Sequence, residues 1–210
     1  IAINGRDDLD YVFSDSDKID AQGRRLAPHF KPAFSPELLL AYMCAGQLIC
    51  VRASLWREVG GMRLGFEGSQ DHDFALRATE KARHVAHIPA TLYHWRIAPG
   101  STAGGGGKKP YSFTAGLRAV QGALTRRGSA GRAEQPGWAV ANGNAAFDII
   151  FPDDGPSVGI VIPTRNRLDL IRPCVESLRR TTYANFRVLV VDNGSDDPDT
   201  IAWLDLSLIH

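Results

Sequence analysis

The sequence has few of the features that mark specialised classes of protein. Its 210 residues include only 3 cysteines, Cys44, Cys50 and Cys174, without metal-binding or disulfide-framework spacing, which is typical of a reducing compartment. Its formal net charge is +1, which argues against a nucleic-acid partner because such binding needs a strongly basic face. The longest apolar run, LLLAYMCAGQLICV, has fourteen residues, fewer than the roughly twenty that span a bilayer.

The composition that is present, with 44% hydrophobic and 22% charged residues, is that of a globular protein with a sizeable core. Four consecutive glycines in APGSTAGGGGKKP indicate a flexible connection. We therefore expect a block at 1–100, a connecting segment at 101–157 that contains a helix, and a second block at 158–210. Neither end of the chain carries a terminal signal, so we expect both to have been cut from a longer protein.

The first block is predicted to be mixed α/β. A strand at 10–13 is expected to end at the acidic string SDSDKID. A helix is expected to begin with Ser35 as N-cap and Pro36 in its first turn. A second helix is predicted over 71–82, and it is followed by two strands separated by a turn at Pro89.

The last block has the pattern of a βαβ unit. A strand at 158–162 precedes an amphipathic helix at 168–180, and the nearly all-apolar string FRVLVVD at 186–192 predicts a strand buried on both faces. Parallel strands of open α/β sheets bind ligands at their carboxyl ends. Asp192 there could accept hydrogen bonds from a base imide or a ribose hydroxyl. Alternatively, Asp192 and Ser195 only cap a turn.

The full string VGIVIPTRNRLDLIRPCVESLRRTTYANFRVLVVDNGSDD resembles the first βαβ unit of family-2 glycosyltransferases, which are inverting enzymes of the GT-A fold. The first block resembles the rear half of bacterial members that assemble polysaccharide and O-antigen, in the strings YVFSDSDKIDAQGRRLAPHFKPAFSPELLL, FEGSQDHDFALRATE and HIPATLYHWRIAPGSTA. The resemblance implies an α/β fold made of GT-A-like pieces, including a Rossmann-like nucleotide-binding βαβ unit, that is incomplete or circularly permuted.

The resemblance also implies roles for particular residues. Asp71, in GSQDHD, matches the general base, although an N-cap role is an alternative. His94, in LYHWR, matches a position that reaches the diphosphate or its metal ion. The donor-binding set that we expect consists of Thr164, Arg165, Asp192, Ser195, Arg96 and Trp95. In this set Asp192 contacts the base, Arg96 pairs with phosphate and Trp95 lies under a sugar ring. An aromatic core edge with a solvated arginine is the alternative for LYHWR.

Two acidic strings, Asp15-Ser16-Asp17 and Asp71-His72-Asp73, have the carboxylate spacing that can hold Mg²⁺ or Mn²⁺. The resemblance aligns the first with a stretch other than the family's metal-binding DxD. In the second, a helix would direct Asp73 away from Asp71. The family's DxD would lie beyond His210, so we expect the divalent metal in the intact enzyme.

We therefore expect part of a tandem glycosyltransferase, in which 1–100 is the acceptor-side half of one module and 158–210 opens a second. It would transfer a sugar from a nucleotide-diphosphate sugar to a saccharide or lipid-linked saccharide with inversion, in cell-surface polysaccharide synthesis. We expect it in the cytoplasm, with peripheral contact to the inner face of the membrane left open. Two alternatives are a non-catalytic nucleotide- or sugar-binding fragment, in which 158–210 could pack on 1–100, and an α/β hydrolase or phosphatase with Asp15 or Asp71 as nucleophile.

Overall fold

The computed structural model describes residues 5–98 and 110–207. The chain divides into two compact units, Ile1–Phe151 and Pro152–His210. Both units contain helices and strands, and this mixed α/β architecture agrees with the predicted fold class. The four glycines of the predicted connection lie outside the described residues.

The first unit is built around one central strand. β1 carries β3 and then β2 antiparallel along one edge, and β4 parallel along the other. The elements of this unit are β1 (Leu9–Ile19), β2 (Arg25–His29), α1 (Pro36–Ala41), β3 (Ile49–Val51), α2 (Ala53–Glu58), α3 (Gln70–Lys81), β4 (His84–Arg96), α4 (Pro110–Arg126), β5 (Arg132–Glu134), α5 (Gly137–Asn142) and β6 (Asp148–Ile150).

The core of the first unit lies between β1 and the helices α1, α3 and α4. Phe13 of β1 is packed in one buried cluster with Leu39 of α1, Phe74 of α3 and Leu124 of α4. The predicted start of α1 is confirmed, because the Ser35 side chain accepts a hydrogen bond from a backbone N–H of the first turn and a proline follows it. Burial of these apolar side chains holds the helices on the sheet.

Two predictions for the strands of this unit were wrong. β1 continues through the acidic string to Ile19 instead of ending at 13, because the carboxylates of Asp15 and Asp17 accept hydrogen bonds from residues of other elements. β4 runs unbroken past Pro89, and the expected turn is replaced by a shift in register between Ser14 and Asp15 of β1. Such a bulge lets a strand accommodate proline, which cannot donate to the ladder.

Residues 110–151, which the sequence assigns to the connecting segment, belong to the first unit in the structure. The helix α4 packs on α3 and buries Val120, Ala123 and Leu124. At its end, Arg126 donates to Glu80 of α3 over 2.7 Å. This segment therefore forms part of the wall of the first unit, because its helix is amphipathic and completes the core.

The second unit contains the predicted βαβ pattern. Its elements are β7 (Val158–Thr164), α6 (Leu168–Leu178), β8 (Phe186–Asp192) and α7 (Pro198–Ser207), and the two strands are parallel. The prediction that β8 is buried on both faces was wrong: Leu189 is 60% exposed, and Val191 is also exposed. Within residues 152–207, β8 pairs with β7 alone, so alternate side chains of this two-stranded sheet remain open to solvent.

Candidate active site

In the first unit, the parallel pairing of β1 and β4 brings predicted site residues to one end of the sheet. Asp17 pairs with His94, and the next positions on β4 are Trp95 and Arg96. The carboxyl ends of both strands lie at this same edge, where parallel sheets bind their ligands. Side chains that are 77 residues apart in sequence therefore meet.

The contact between Asp17 and His94 fixes the histidine ring. Nδ1–H of His94 donates to the buried Asp17 carboxylate over 2.5 Å, and Arg25 donates to its other oxygen over 2.5 Å. Burial raises the pKa of Asp17, but these two hydrogen bonds lower it by a larger amount, so the pKa lies below its usual range. An ionised carboxylate can only accept, so the proton stays on Nδ1. Nε2 of His94 forms no hydrogen bond with residues 5–98 or 110–207 and can bind a ligand.

The predicted residues of LYHWR divide between the two faces of β4. Side chains alternate along a strand, so His94 and Arg96 share one face and Trp95 projects from the other. Arg96 is exposed and Trp95 is half-buried. His94 and Arg96 can therefore contact the same anionic ligand, and Trp95 does not stand beside them.

Asp15, the other acid of the first string, is also engaged. Its carboxylate accepts from Nε2 of His87 over 2.7 Å and from the backbone N–H of Lys31 over 2.9 Å. Burial raises the pKa of Asp15, but the hydrogen bonds lower it further, to below its usual range. The sequence assigned His87 no role. Among the described residues no group of three or more His, Cys, Asp or Glu side chains is placed to hold a metal ion.

Asp71 lies in the first turn of α3, and it differs in exposure from the two residues that follow it. Nε2 of His72 donates to the Leu39 carbonyl over 2.6 Å, and Asp73 is fully buried, whereas Asp71 is exposed. The N-cap of α3 is Ser69, so the alternative reading of Asp71 as the N-cap was wrong. The Asp71 carboxylate therefore faces solvent from a rigid position.

In the second unit, Thr164 and Asp192 are paired at the carboxyl ends of β7 and β8. The backbone N–H of Ser195 donates to Asp192 over 3.1 Å, and its hydroxyl donates over 2.5 Å. Arg165 is exposed on the loop after β7. Asp192 therefore does cap a turn, and its exposed carboxylate keeps acceptor capacity for a ligand.

Asn166 joins the two loops at this edge, and sequence reasoning missed it. Its Oδ1 accepts from the backbone N–H groups of Asp196 and Asp197 over 2.8 and 3.0 Å, and its own N–H donates to Ser195 Oγ over 2.9 Å. Its φ of +51° lies in the left-handed region, which asparagine tolerates better than most residues. An asparagine in a loop between strand and helix was the available signal.

Comparison with known proteins relates the chain to one family and to two curated proteins. Residues 159–205, from β7 to α7, match the family described as Glycosyl transferase family 2. The second unit therefore contains a segment of this family. It is similar to the O-antigen biosynthesis protein RfbC of Myxococcus xanthus, at 35% identity over 100% of this chain and 16% of the relative. It is also 41% identical to the uncharacterized protein y4gI of Sinorhizobium fredii, over 96% of this chain and 22% of the relative.

These findings confirm the predicted family and agree with the predicted GT-A-like class of fold. The chain spans only about a fifth of the length of these curated relatives. No helix among the described residues is long and apolar enough to cross a membrane.

Proposed function

We propose that the protein containing this chain transfers a sugar from a nucleoside diphosphate sugar to a saccharide or lipid-linked saccharide acceptor, with inversion at C1, during cell-surface polysaccharide synthesis. Support comes from the family and from the name of the Myxococcus xanthus relative, which refers to O-antigen biosynthesis. The proposal places the reaction in the cytoplasm, with peripheral contact at the membrane.

The observation that carries the proposal is the solvent-facing carboxylate of Asp71 in the first turn of α3. The next two residues, His72 and Asp73, are buried and hydrogen-bonded, so they hold Asp71 in place. A general base must be rigid and must reach an acceptor hydroxyl. In the proposed step Asp71 takes the hydroxyl proton as the acceptor oxygen forms a bond to C1. The bond between C1 and the diphosphate oxygen breaks on the opposite face, and its electron pair leaves with the nucleoside diphosphate.

We assign nucleotide binding to the edge of the second unit. The Asp192 carboxylate would accept hydrogen bonds from the base or ribose, while Thr164, Arg165 and Ser195 would line the same edge. Asn166 would hold the two loops together, because its side chain and backbone bridge them. This is the position at which open α/β sheets bind nucleotides.

A divalent metal, Mn²⁺ or Mg²⁺, is part of the proposal for the intact enzyme. Nε2 of His94 fits one ligand position, because a ligating histidine commonly donates its other N–H to a carboxylate, as His94 does to Asp17. When bound, the metal would offset charge on the departing diphosphate. Arg96, on the same face of β4, would pair with a phosphate oxygen.

The test is Asp71→Asn in the intact protein. We expect loss of sugar transfer with unchanged binding of UDP- and TDP-sugars in the presence of Mn²⁺, measured by titration calorimetry. Asp148→Asn, which changes an exposed acid elsewhere in the first unit, is the matched control and should retain activity. Full activity of the Asp71 variant would remove this residue as the base.

A further inference from the structure

A cleft lies beside the start of α3, and none of the candidate site residues described above lines it. The loop that precedes α3 and the first turns of α4 enclose a cavity of about 310 Å³. Its lining residues are Gly65, Glu67, Tyr111, Thr114, Ala115 and Arg118. Glu67 lies four residues before Asp71, and four residues span roughly 14 Å at most, so the cleft lies near Asp71.

The cleft depends on close contact between the loop and α4. Gly68 has a φ of +83°, and a Cβ atom there would lie 2.6 Å from Cβ of Ser112. The hydroxyl of Ser69 donates to the Ser112 carbonyl over 2.7 Å. Glycine at 68 therefore allows the loop to dock on the helix, and the shape of the cleft is fixed by backbone geometry.

The two charged side chains of the cleft, Glu67 and Arg118, each form one hydrogen bond with the backbone of Gly65. Arg118 donates to the Gly65 carbonyl and lies over the Phe66 ring, 5.2 Å from its centroid. Oε1 of Glu67 accepts from the Gly65 N–H over 2.9 Å, and this hydrogen bond lowers the pKa of Glu67. Within residues 5–98 and 110–207, Oε2 of Glu67 and the other guanidinium N–H groups of Arg118 form no further hydrogen bond.

We propose that this cleft binds one sugar ring of the acceptor. Its role in acceptor binding rests on the function proposed above, whereas its ability to bind a saccharide does not depend on that function. A fixed carboxylate accepts from sugar hydroxyls and a fixed guanidinium donates to them. The Tyr111 side chain, which is 52% exposed, and the Thr114 hydroxyl add an aromatic and a polar surface. The volume lies at the small end of the roughly 300–1,000 Å³ of small-molecule pockets, which suits a single ring.

The proposal is tested by saturation-transfer NMR on the 210-residue chain. The probes are methyl α-rhamnoside, methyl α-mannoside and methyl β-galactoside at millimolar concentration. We expect saturation transfer to at least one glycoside in the wild type. Arg118→Met and Tyr111→Ala should each weaken it about tenfold, as loss of one charge-assisted hydrogen bond or one ring contact predicts. Trp138→Ala removes an aromatic side chain of similar exposure, 57%, elsewhere in the unit and should change nothing.

Outcomes for the cleft and for the proposed function separate. The saccharide site would be overturned if none of the three glycosides shows saturation transfer. It would also be overturned if saturation transfer is equal in the wild type and in folded Arg118→Met and Tyr111→Ala. Glycoside binding that is weakened in both cleft variants supports the saccharide site even if the intact protein shows no transferase activity. In that case the cleft stands and the proposed function fails.

Discussion

The buried cluster around Asp73 gives a quantitative prediction about what holds the first turn of α3, which carries Asp71, in place. Asp73 is 0% exposed and accepts from Nε of Arg77 over 3.0 Å, from Nη2 of Arg77 over 2.8 Å and from Nε of Arg63 over 3.0 Å. Arg77 also donates to the carbonyls of Val59 and Gly61. The cluster therefore ties α3 to the loop that precedes it.

Asp73→Asn should destabilise the first unit by about 3–5 kcal/mol, the range for removing one partner of a buried ion pair. The cost arises mainly at Arg77, whose side chain is 9% exposed and would keep an uncompensated charge. The Arg63 side chain is 43% exposed and regains water, so it contributes little. Asp8→Asn, which breaks an exposed ion pair with Arg6, is the control and should cause no measurable change.

The measurement is urea unfolding followed by fluorescence in a Trp203→Phe background, in which the remaining tryptophans, 56, 95 and 138, all lie in the first unit. With a slope of about 2 kcal/mol per molar urea, the midpoint should fall by roughly 2 M. A loss below about 1 kcal/mol would refute the assignment of Asp73 as a buried anchor.

The same pair of proteins predicts a pH dependence. Burial raises the pKa of Asp73, but hydrogen bonds from Arg63 and Arg77 lower it further, so the folded pKa lies below the unfolded value of about 3.9. The ionised carboxylate therefore stabilises the fold above that pH, and its contribution is lost as the pH falls through the folded pKa. The stability difference between wild type and Asp73→Asn should shrink below about pH 4; a constant difference down to about pH 2 would contradict this reasoning.

Two further predictions concern the loop edge of the second unit and the thiols. Asn166→Ala should lower the stability of the second unit by about 1–2 kcal/mol and weaken UDP binding, because it removes three side-chain hydrogen bonds and places alanine at positive φ. Unfolding of a chain that retains Trp203 as its only tryptophan measures this, and an unchanged midpoint would exclude a bridging role. Burial raises the pKa of Cys44, so Ellman's reagent should modify two thiols, Cys50 and Cys174, in the native chain, and the third only in urea. Three reactive thiols without urea would contradict this.

Local patterns predicted those elements whose stabilising contacts are local. The α3 and α6 helices follow from apolar spacing, and α1 follows from its serine cap and proline. The predicted strand ended before the end of β1 because Asp15 and Asp17 are poor strand residues unless their carboxylates are hydrogen-bonded. Their partners lie 72 and 77 residues later on β4. A sequence pattern of short range contains no information about such pairing.

The candidate site shows the same division. Asp71 and Asp192 could be located by motif and position, since each lies at the end of a predicted element. Asn166 bridges to residues 29 to 31 positions away, and its contribution depends on the meeting of two loops at the ends of parallel strands. The role of 110–151 was missed because an amphipathic helix beside a run of glycines suggested a connection, whereas its apolar face completes the core.

The pairing of Asp17 with His94 links the architecture of the first unit to its proposed chemistry. A buried strand normally excludes carboxylates, because an unpaired buried charge is costly. Here Arg25 and His94 compensate Asp17, and in return the carboxylate sets the tautomer of the histidine and orients its ring. The remaining nitrogen then projects from a strand end that also carries Arg96 on the same face. The acid that made the sequence pattern look unlike a strand is thus the group that prepares His94 to contact a phosphate or a metal ion.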